Sequence, residues 1–353
     1  MPEPSDDIVA AYFAISDLFR RVQANALGVV GLGPRECQYQ VIKSRSFWRL
    51  RDYSGPDAAP PLLVVAAPIK RPYIWDLAPA VSVLRYCLRH GLHVYLLEWM
   101  PPVEADAQAG LDEYVGEAIA DCVTTIANAE HRLRPVLAGH SLGGTLAATY
   151  CALEPNRASG LVLLSAPLCF EPGSSGFRDS LVALARTPLS ESNVTAGSLL
   201  THISAAVSPG TFFWSRWKDA ALSVADPSAV EIHARVERWS LDEMALSSKL
   251  LNQIFHWLYD ENRLCRGLLP ILGRTVGPSR QNPPILAVIN TLDEIAPLAS
   301  VAPFIVKSPD KDSRIIEYPG EVGVVLQHLG VLLGRQAHAS LWPQIVAWIK
   351  SRA

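Results

Sequence analysis

Charge is scarce and evenly spread in this chain of 353 residues. Only 18% of positions are Asp, Glu, Lys or Arg, and the formal net charge is −3. The basic residues are dispersed, so there is no electrostatic footprint for nucleic acid or another polyanion. No apolar run reaches the length of a bilayer span, which excludes a transmembrane segment. The opening Met1–Asp7 is acidic and carries no positive n-region, so a soluble, cytoplasmic protein is expected. The six cysteines (Cys37, Cys87, Cys122, Cys151, Cys169 and Cys265) lack metal-ligand spacing and mostly stand in apolar surroundings. Neither a disulfide nor a zinc site is expected from them, and no other metal or cofactor is called for. Repeats and low-complexity tracts are also missing. What is abundant is apolar sequence, at 49%. At this length it implies either two domains or one α/β domain with an insertion.

The most informative stretch is Val136-Leu137-Ala138-Gly139-His140-Ser141-Leu142-Gly143-Gly144, a short apolar run ending in Gly-x-Ser-x-Gly. A helical pattern follows directly (Leu142, Leu146, Thr149, Tyr150). A strand, this motif and a helix in succession define a nucleophile elbow, the sharp turn that lifts a serine hydroxyl above the carboxyl edge of a sheet. Gly139 and Gly143 flank Ser141 where strand and helix approach too closely for a Cβ. Ser141 then stands at a helix N-terminus, with the Leu142 N–H free to donate to an oxyanion.

Apolar strand candidates alternate with helical segments along the chain, the pattern of a mostly parallel sheet with helices on both faces. Residues 6–26 read as an amphipathic helix (Ile8, Tyr12, Ile15, Leu18, Phe19, Val22), and 37–53 as a pair of antiparallel edge strands. Buried strands are expected at 62–67, 93–99, 136–140, 160–165, 285–290 and 314–318. Helices are expected at 77–90, 111–128, 142–153, 299–306 and 341–351. Between the strands ending near Pro167 and starting near Pro284 there is no strand periodicity, and Trp and Phe are frequent. The implied organisation is an N-terminal helical segment (1–35), an α/β-hydrolase core (36–167 and 282–353) and a largely helical cap, or lid, insertion (168–281).

An elbow serine needs a base and a carboxylate later in the chain, in the order Ser, Asp, His. Asp293 follows the strand 285–290, where a carboxylate points into the crevice; Glu294 is the neighbouring competitor. His328 lies beyond the last strand, with His338 as the alternative closer to the terminal helix. The loop Pro319–Gly323, with Glu321 in it, is a second place for a catalytic histidine to have stood.

Several further motifs, in order, resemble the polyhydroxyalkanoate synthase family of α/β-hydrolase-fold acyltransferases, particularly its short forms. Pro68-Ile69-Lys70-Arg71-Pro72-Tyr73-Ile74-Trp75-Asp76-Leu77 is similar to the family's loop Ile-Asn-Lys-x-Tyr-Ile-x-Asp-Leu. Gly91–Pro101 resembles its second core strand. Trp239-Ser240-Leu241-Asp242 and Leu258-Tyr259-Asp260-Glu261-Asn262-Arg263-Leu264 resemble Trp-x-x-Asp and Leu-Tyr-x-x-Asn-x-Leu of its cap. His328–Trp342 matches its C-terminal His-x-Gly segment and Leu-Trp-Pro helix, and the spacing to Trp342 favours His328 over the 319–323 loop. The chain departs from the family in two places. Ser141 stands where the family carries a cysteine nucleophile, and Glu294 where histidine commonly follows the aspartate.

The serine matters energetically. A cysteine acylated by a coenzyme A thioester keeps the acyl group activated for transfer to a polymer hydroxyl, whereas a serine ester does not, and water then competes. A serine esterase or thioesterase for acyl or hydroxyacyl substrates is therefore expected. The alternatives are a synthase-type acyltransferase on 3-hydroxyacyl-coenzyme A, or a non-catalytic partner subunit. Leu142 supplies one oxyanion donor, and the backbone of Ile69 or Lys70 is the candidate for the second. Lys70 and Arg71 read either as a solvated pair or as cations that steer an anionic leaving group. Trp239, Trp257 and Tyr259 suit a cap core; Trp239 and Tyr259 are the candidates for acyl contact. The resemblance implies work with a second subunit, so a homodimer or partner subunit is expected, with the amphipathic N-terminal segment as an interface.

Overall fold

The computed structural model describes residues 6–55, 59–184, 194–310 and 312–352. One sheet holds eight strands: β1 (Gln40–Ser44), β2 (Trp48–Asp52), β3 (Pro61–Val65), β4 (His93–Trp99), β5 (Val136–His140), β6 (Gly160–Leu164), β7 (Ile285–Asn290) and β8 (Arg314–Tyr318). Their order is β1-β2-β4-β3-β5-β6-β7-β8. β2 runs antiparallel to both β1 and β4, and the remaining pairs are parallel. The crossovers put helices on both faces, so the inner strands are buried on both sides.

The alternation along each strand sorts its residues between two cores. Leu63 and Val65 of β3 pack with Tyr95, Leu97 and Leu137 beneath the helical run Asp112–Ile119 and Ala120–Ala129 and beneath helix Leu142–Leu153. Leu62 and Val64 point the other way, with Val94, Leu96 and Val136, towards helices Val83–Arg89 and Trp342–Lys350. β3 ends at Val65, two residues before the expected boundary. There the chain turns out of the sheet, and the Trp99 indole N–H donates to the Ala66 carbonyl at 2.7 Å. The helix expected from residue 77 starts at Val83, because Pro72 and Pro79 each open a short 3₁₀ turn first and Ser82 then caps the helix.

Between β6 and β7 lie helices including Gly197–Val207, Ser215–Ser223 and Pro227–Ser240. Two short antiparallel ladders accompany them, Val194–Thr195 with Leu246–Ser247 and Leu269–Ile271 with Arg274–Val276. Ladders of two and three residues are too short to register as periodicity. Met244, Leu246, Leu250 and Leu258 of this region share one apolar cluster with the sheet, while Phe177, Leu181, Leu251 and Phe255 form a small cluster of their own.

The expectation of unpaired cysteines is overturned in one case. Cys169, just after β6, forms a disulfide with Cys265 on helix Arg263–Arg266, 96 residues away in sequence, with their Cα atoms 5.0 Å apart. Sequence spacing says nothing about such a pair; the fold of the insertion back onto the core creates it. Cys37, Cys87, Cys122 and Cys151 are free. No helix among the described residues is long and apolar enough to cross a membrane.

Candidate active site

Ser141 follows directly on β5 with φ 55° and ψ −133°, a strained backbone for a residue with a side chain. Close packing imposes it. A Cβ on Gly139 would lie 2.4 Å from the Gly144 nitrogen, and one on Gly143 would lie 2.3 Å from the Val65 carbonyl oxygen. Only glycine lets helix Leu142–Leu153 start this close to β3 and β5. Leu142 is the first residue of that helix, so its N–H has no acceptor within the helix.

His328 arrives from the far side of the sheet, in the turn Gln327–Leu329 after β8. Its Nδ1 is 2.7 Å from Oδ2 of Asp293, and both side chains are buried. The other Asp293 oxygen accepts from the Ile295 and Ala296 N–H groups at 2.9 and 3.3 Å. Burial alone would raise the Asp293 pKa, but the adjacent His328 and these backbone donors outweigh it and hold the carboxyl below its ordinary value. A carboxylate on Nδ1 leaves Nε2 as the free basic nitrogen. The neighbours part ways: Glu294 is exposed and bonded to Thr211, while His338 is half-buried and bonds the Leu332 carbonyl at 2.8 Å.

Ser141 and His328 line the same cavity, of about 440 Å³, within the range of small-ligand pockets. Ile69, Lys70, Trp75 and Trp239 line it as well. Tyr259 does not; it stacks in an aromatic group with Phe170 at 4.4 Å and Phe255 at 6.2 Å. Burial and then the charge of Asp293 hold its phenol well above its ordinary pKa, which puts Tyr259 behind the acid rather than in the cavity. Lys70 is neither a solvated residue nor one that faces a leaving group. Its ammonium is bonded to Glu243 at 2.7 Å and to the Ser240 carbonyl at 2.6 Å. Trp239 donates its indole N–H to the Arg71 carbonyl at 2.8 Å, so the loop after β3 and the insertion are laced together around the cavity.

Sequence reasoning missed His140. Its ring lies 4.6 Å from that of His328, and its Nε2 is 2.7 Å from the His328 carbonyl oxygen. Burial, with the charge of His328 second, drives its pKa down to about 3, so the ring is neutral and donates that hydrogen bond. The residue was visible inside the motif, but nothing local indicates a partner 188 positions away. Ala67 is a second omission: its nitrogen passes close to Gly143, nearer the elbow than the anticipated Ile69 and Lys70 donors were known to be.

A parallel sheet of this order with a serine elbow after its fifth strand is an α/β-hydrolase fold, and the profile described as "alpha/beta hydrolase fold" matches residues 74–208. The monoacylglycerol lipase of Paleococcus ferrophilus shares the fold, with a TM-score of 0.56 and 18% identity over 87% of this chain and 99% of the lipase. In sequence, the chain is similar to the poly(3-hydroxyalkanoate) polymerase subunit PhaC of Haloferax mediterranei, 28% identical over 92% of this chain. The match spans 65% of that relative's length. The PhaC subunit of Allochromatium vinosum is 25% identical over 91% of this chain and 90% of its own. The resemblance seen in separate motifs thus extends over most of the chain.

Proposed function

We propose that this chain is a serine-dependent acyl-transfer enzyme, an esterase or thioesterase acting on acyl or hydroxyacyl esters or thioesters. The observation that carries the reading is the buried 2.7 Å contact of His328 with Asp293, in a cavity that Ser141 also lines. His328 Nε2 takes the proton of the Ser141 hydroxyl as Oγ bonds to the substrate carbonyl carbon. Asp293 holds the imidazolium that forms, and the Leu142 N–H receives the developing oxyanion together with a donor from the loop 67–70. His328 then protonates the departing oxygen or sulfur, leaving an acyl ester on Ser141. Water, deprotonated by the same histidine, releases the acid.

The likeness to PhaC subunits favours a second reading, transfer of the acyl group to a hydroxyl acceptor instead of water. Ser141 weighs against it because the acyl-serine ester has lost the activation of a thioester. Both readings are tested with the purified chain, a fluorophosphonate probe, p-nitrophenyl esters and 3-hydroxyacyl-coenzyme A, scoring free acid and oligomer separately. Ser141 should take the label, and free acid should dominate. Ser141→Ala should abolish labelling and lower kcat by on the order of 10⁴ to 10⁶. An intact chain that does not label overturns both catalytic readings and leaves the non-catalytic partner. Oligomer as the main product of the wild type selects transfer over hydrolysis.

A further inference from the structure

The N-terminal helix Asp6–Leu27 lies on the insertion the wrong way round for an amphipathic helix. Its contacts with the body are largely polar. Asp17 accepts from the Gly197 and Ser198 N–H groups at 3.1 and 2.8 Å, the first turn of helix Gly197–Val207. Arg20 pairs with Glu243 at 2.9 Å and bonds the Ser240 carbonyl at 2.9 Å. Ala24 is buried between them and the Arg238 guanidinium. The apolar stripe faces outward: Ile8, Tyr12, Ile15, Phe19 and Val22 are between 56% and 66% exposed.

These five residues are spaced four, three, four and three apart, and the next step of four reaches the exposed Ala26. That is the 3.5-residue repeat of a coiled-coil seam, carried for nearly three heptads on a helix whose other face is already anchored. We propose that this seam packs against the same seam of a second copy of the chain, forming a two-fold symmetric dimer.

Three features select a second copy. The positions flanking the seam (Val9, Ala11, Ser16, Leu18, Gln23 and Asn25) carry no charge. Flanking charges are what choose a different partner in coiled coils, and their absence lets two identical helices meet without repulsion. The area is sufficient: with Leu18 at 58% exposure the stripe offers on the order of 700 Å² per copy, near the roughly 800 Å² each partner contributes to a standard interface. The helix is also held in place by Asp17 and Arg20, so association need not order it first, which removes the usual weakness of so short a coiled coil. A lipid surface fits less well. Helices that lie on anionic membranes carry Lys and Arg on the polar face, whereas Arg20 here is paired with Glu243 and Asp17 caps a neighbouring helix.

The test is the mass of the full chain in solution at tens of micromolar, by light scattering or sedimentation. The wild type should have twice the 38.4 kDa of one chain. Ile15→Glu with Phe19→Glu should give a monomer with unchanged circular dichroism and Tm, because both side chains are exposed. Ile15→Cys provides an independent reading that needs no loss of structure: mild oxidation should cross-link two copies, in a band the wild type does not give. A monomeric wild type overturns the proposal, as does a dimer that survives both glutamates. A monomer that floats with anionic phospholipid vesicles overturns it in favour of a lipid surface. No seam residue lines the Ser141 cavity, so a failure here and a failure of the acyl-transfer reading are separately visible.

Discussion

Ser141 and His328 line one cavity but are held there in opposite ways. Everything that fixes Ser141 is close at hand: β5 before it, the helix after it, and three glycines at 139, 143 and 144 whose missing Cβ atoms admit β3 and the residues just after β6. His328 sits at the end of a loop that is tied down from four separate places. Asn290 of β7 donates to the Gln327 carbonyl at 2.6 Å, and His140 bonds the His328 carbonyl. Asp219, on the insertion helix Ser215–Ser223, accepts from the Gly323 and Val325 N–H groups at 2.8 and 2.9 Å. Asp293 holds the ring itself. The nucleophile is thus a product of local backbone geometry, and the base a product of convergence. A methyl group in the wrong place should damage the first, whereas the second should lose function tie by tie.

The largest effect expected on that contrast comes from the tie to the ring. Asp293→Asn keeps the shape but offers the wrong partner to Nδ1, and kcat for ester hydrolysis should fall on the order of 10⁴. Glu294→Gln should leave it within about twofold, since Glu294 points to Thr211. A crippling Glu294→Gln with a mild Asp293→Asn would reverse the assignment of the acid.

Gly143→Ala comes next. The added Cβ meets only backbone, at Val65, Ala66 and Ala67, so the strand edge must shift rather than a flexible side chain. Overpacking of this kind costs about 1–3 kcal/mol, and a displacement of about 1 Å at the oxyanion donors costs roughly 10²-fold in rate. Tm and kcat/KM should both drop. A variant with wild-type values of each would show that the elbow is looser than the glycines indicate.

The smallest effect is a matter of pH. His140 has its pKa lowered to about 3 in the folded chain, against about 6.5 when unfolded. The unfolded state therefore binds the extra proton between these values. The stability His140 contributes is full above about pH 6.5 and is lost as the pH falls towards 3, with a slope of up to about 1.4 kcal/mol per pH unit. Asp293, also lowered, acts in the same direction at lower pH. His140→Asn retains a donor for the His328 carbonyl but does not titrate. Urea midpoints at pH 7 and pH 5 should show the wild type losing about 2 kcal/mol more than the variant. Equal losses would mean that His140 is protonated without penalty in the folded chain.

Much of this protein was determined by short-range pattern. Strands β4, β5, β7 and β8 and helix Leu142–Leu153 fall where the apolar periodicity puts them, because a strand buried on both faces must be apolar along its whole length. The serine elbow is legible for the same reason: its glycines, its strain and its helix lie within six residues. Asp293 and His328 were legible as a carboxylate after a strand and a histidine before the last helix, but not their contact. Only the tertiary structure decided what distant segments do to one another. It pairs Cys169 with Cys265, turns Lys70 from the cavity to Glu243, sets His140 against the His328 carbonyl and Asp219 against the loop before it. It also turns the apolar face of the first helix outward, where periodicity alone would bury it. Such choices rest on the summed contacts of elements far apart in the chain, and neither composition nor spacing encodes which of two faces finds the body first.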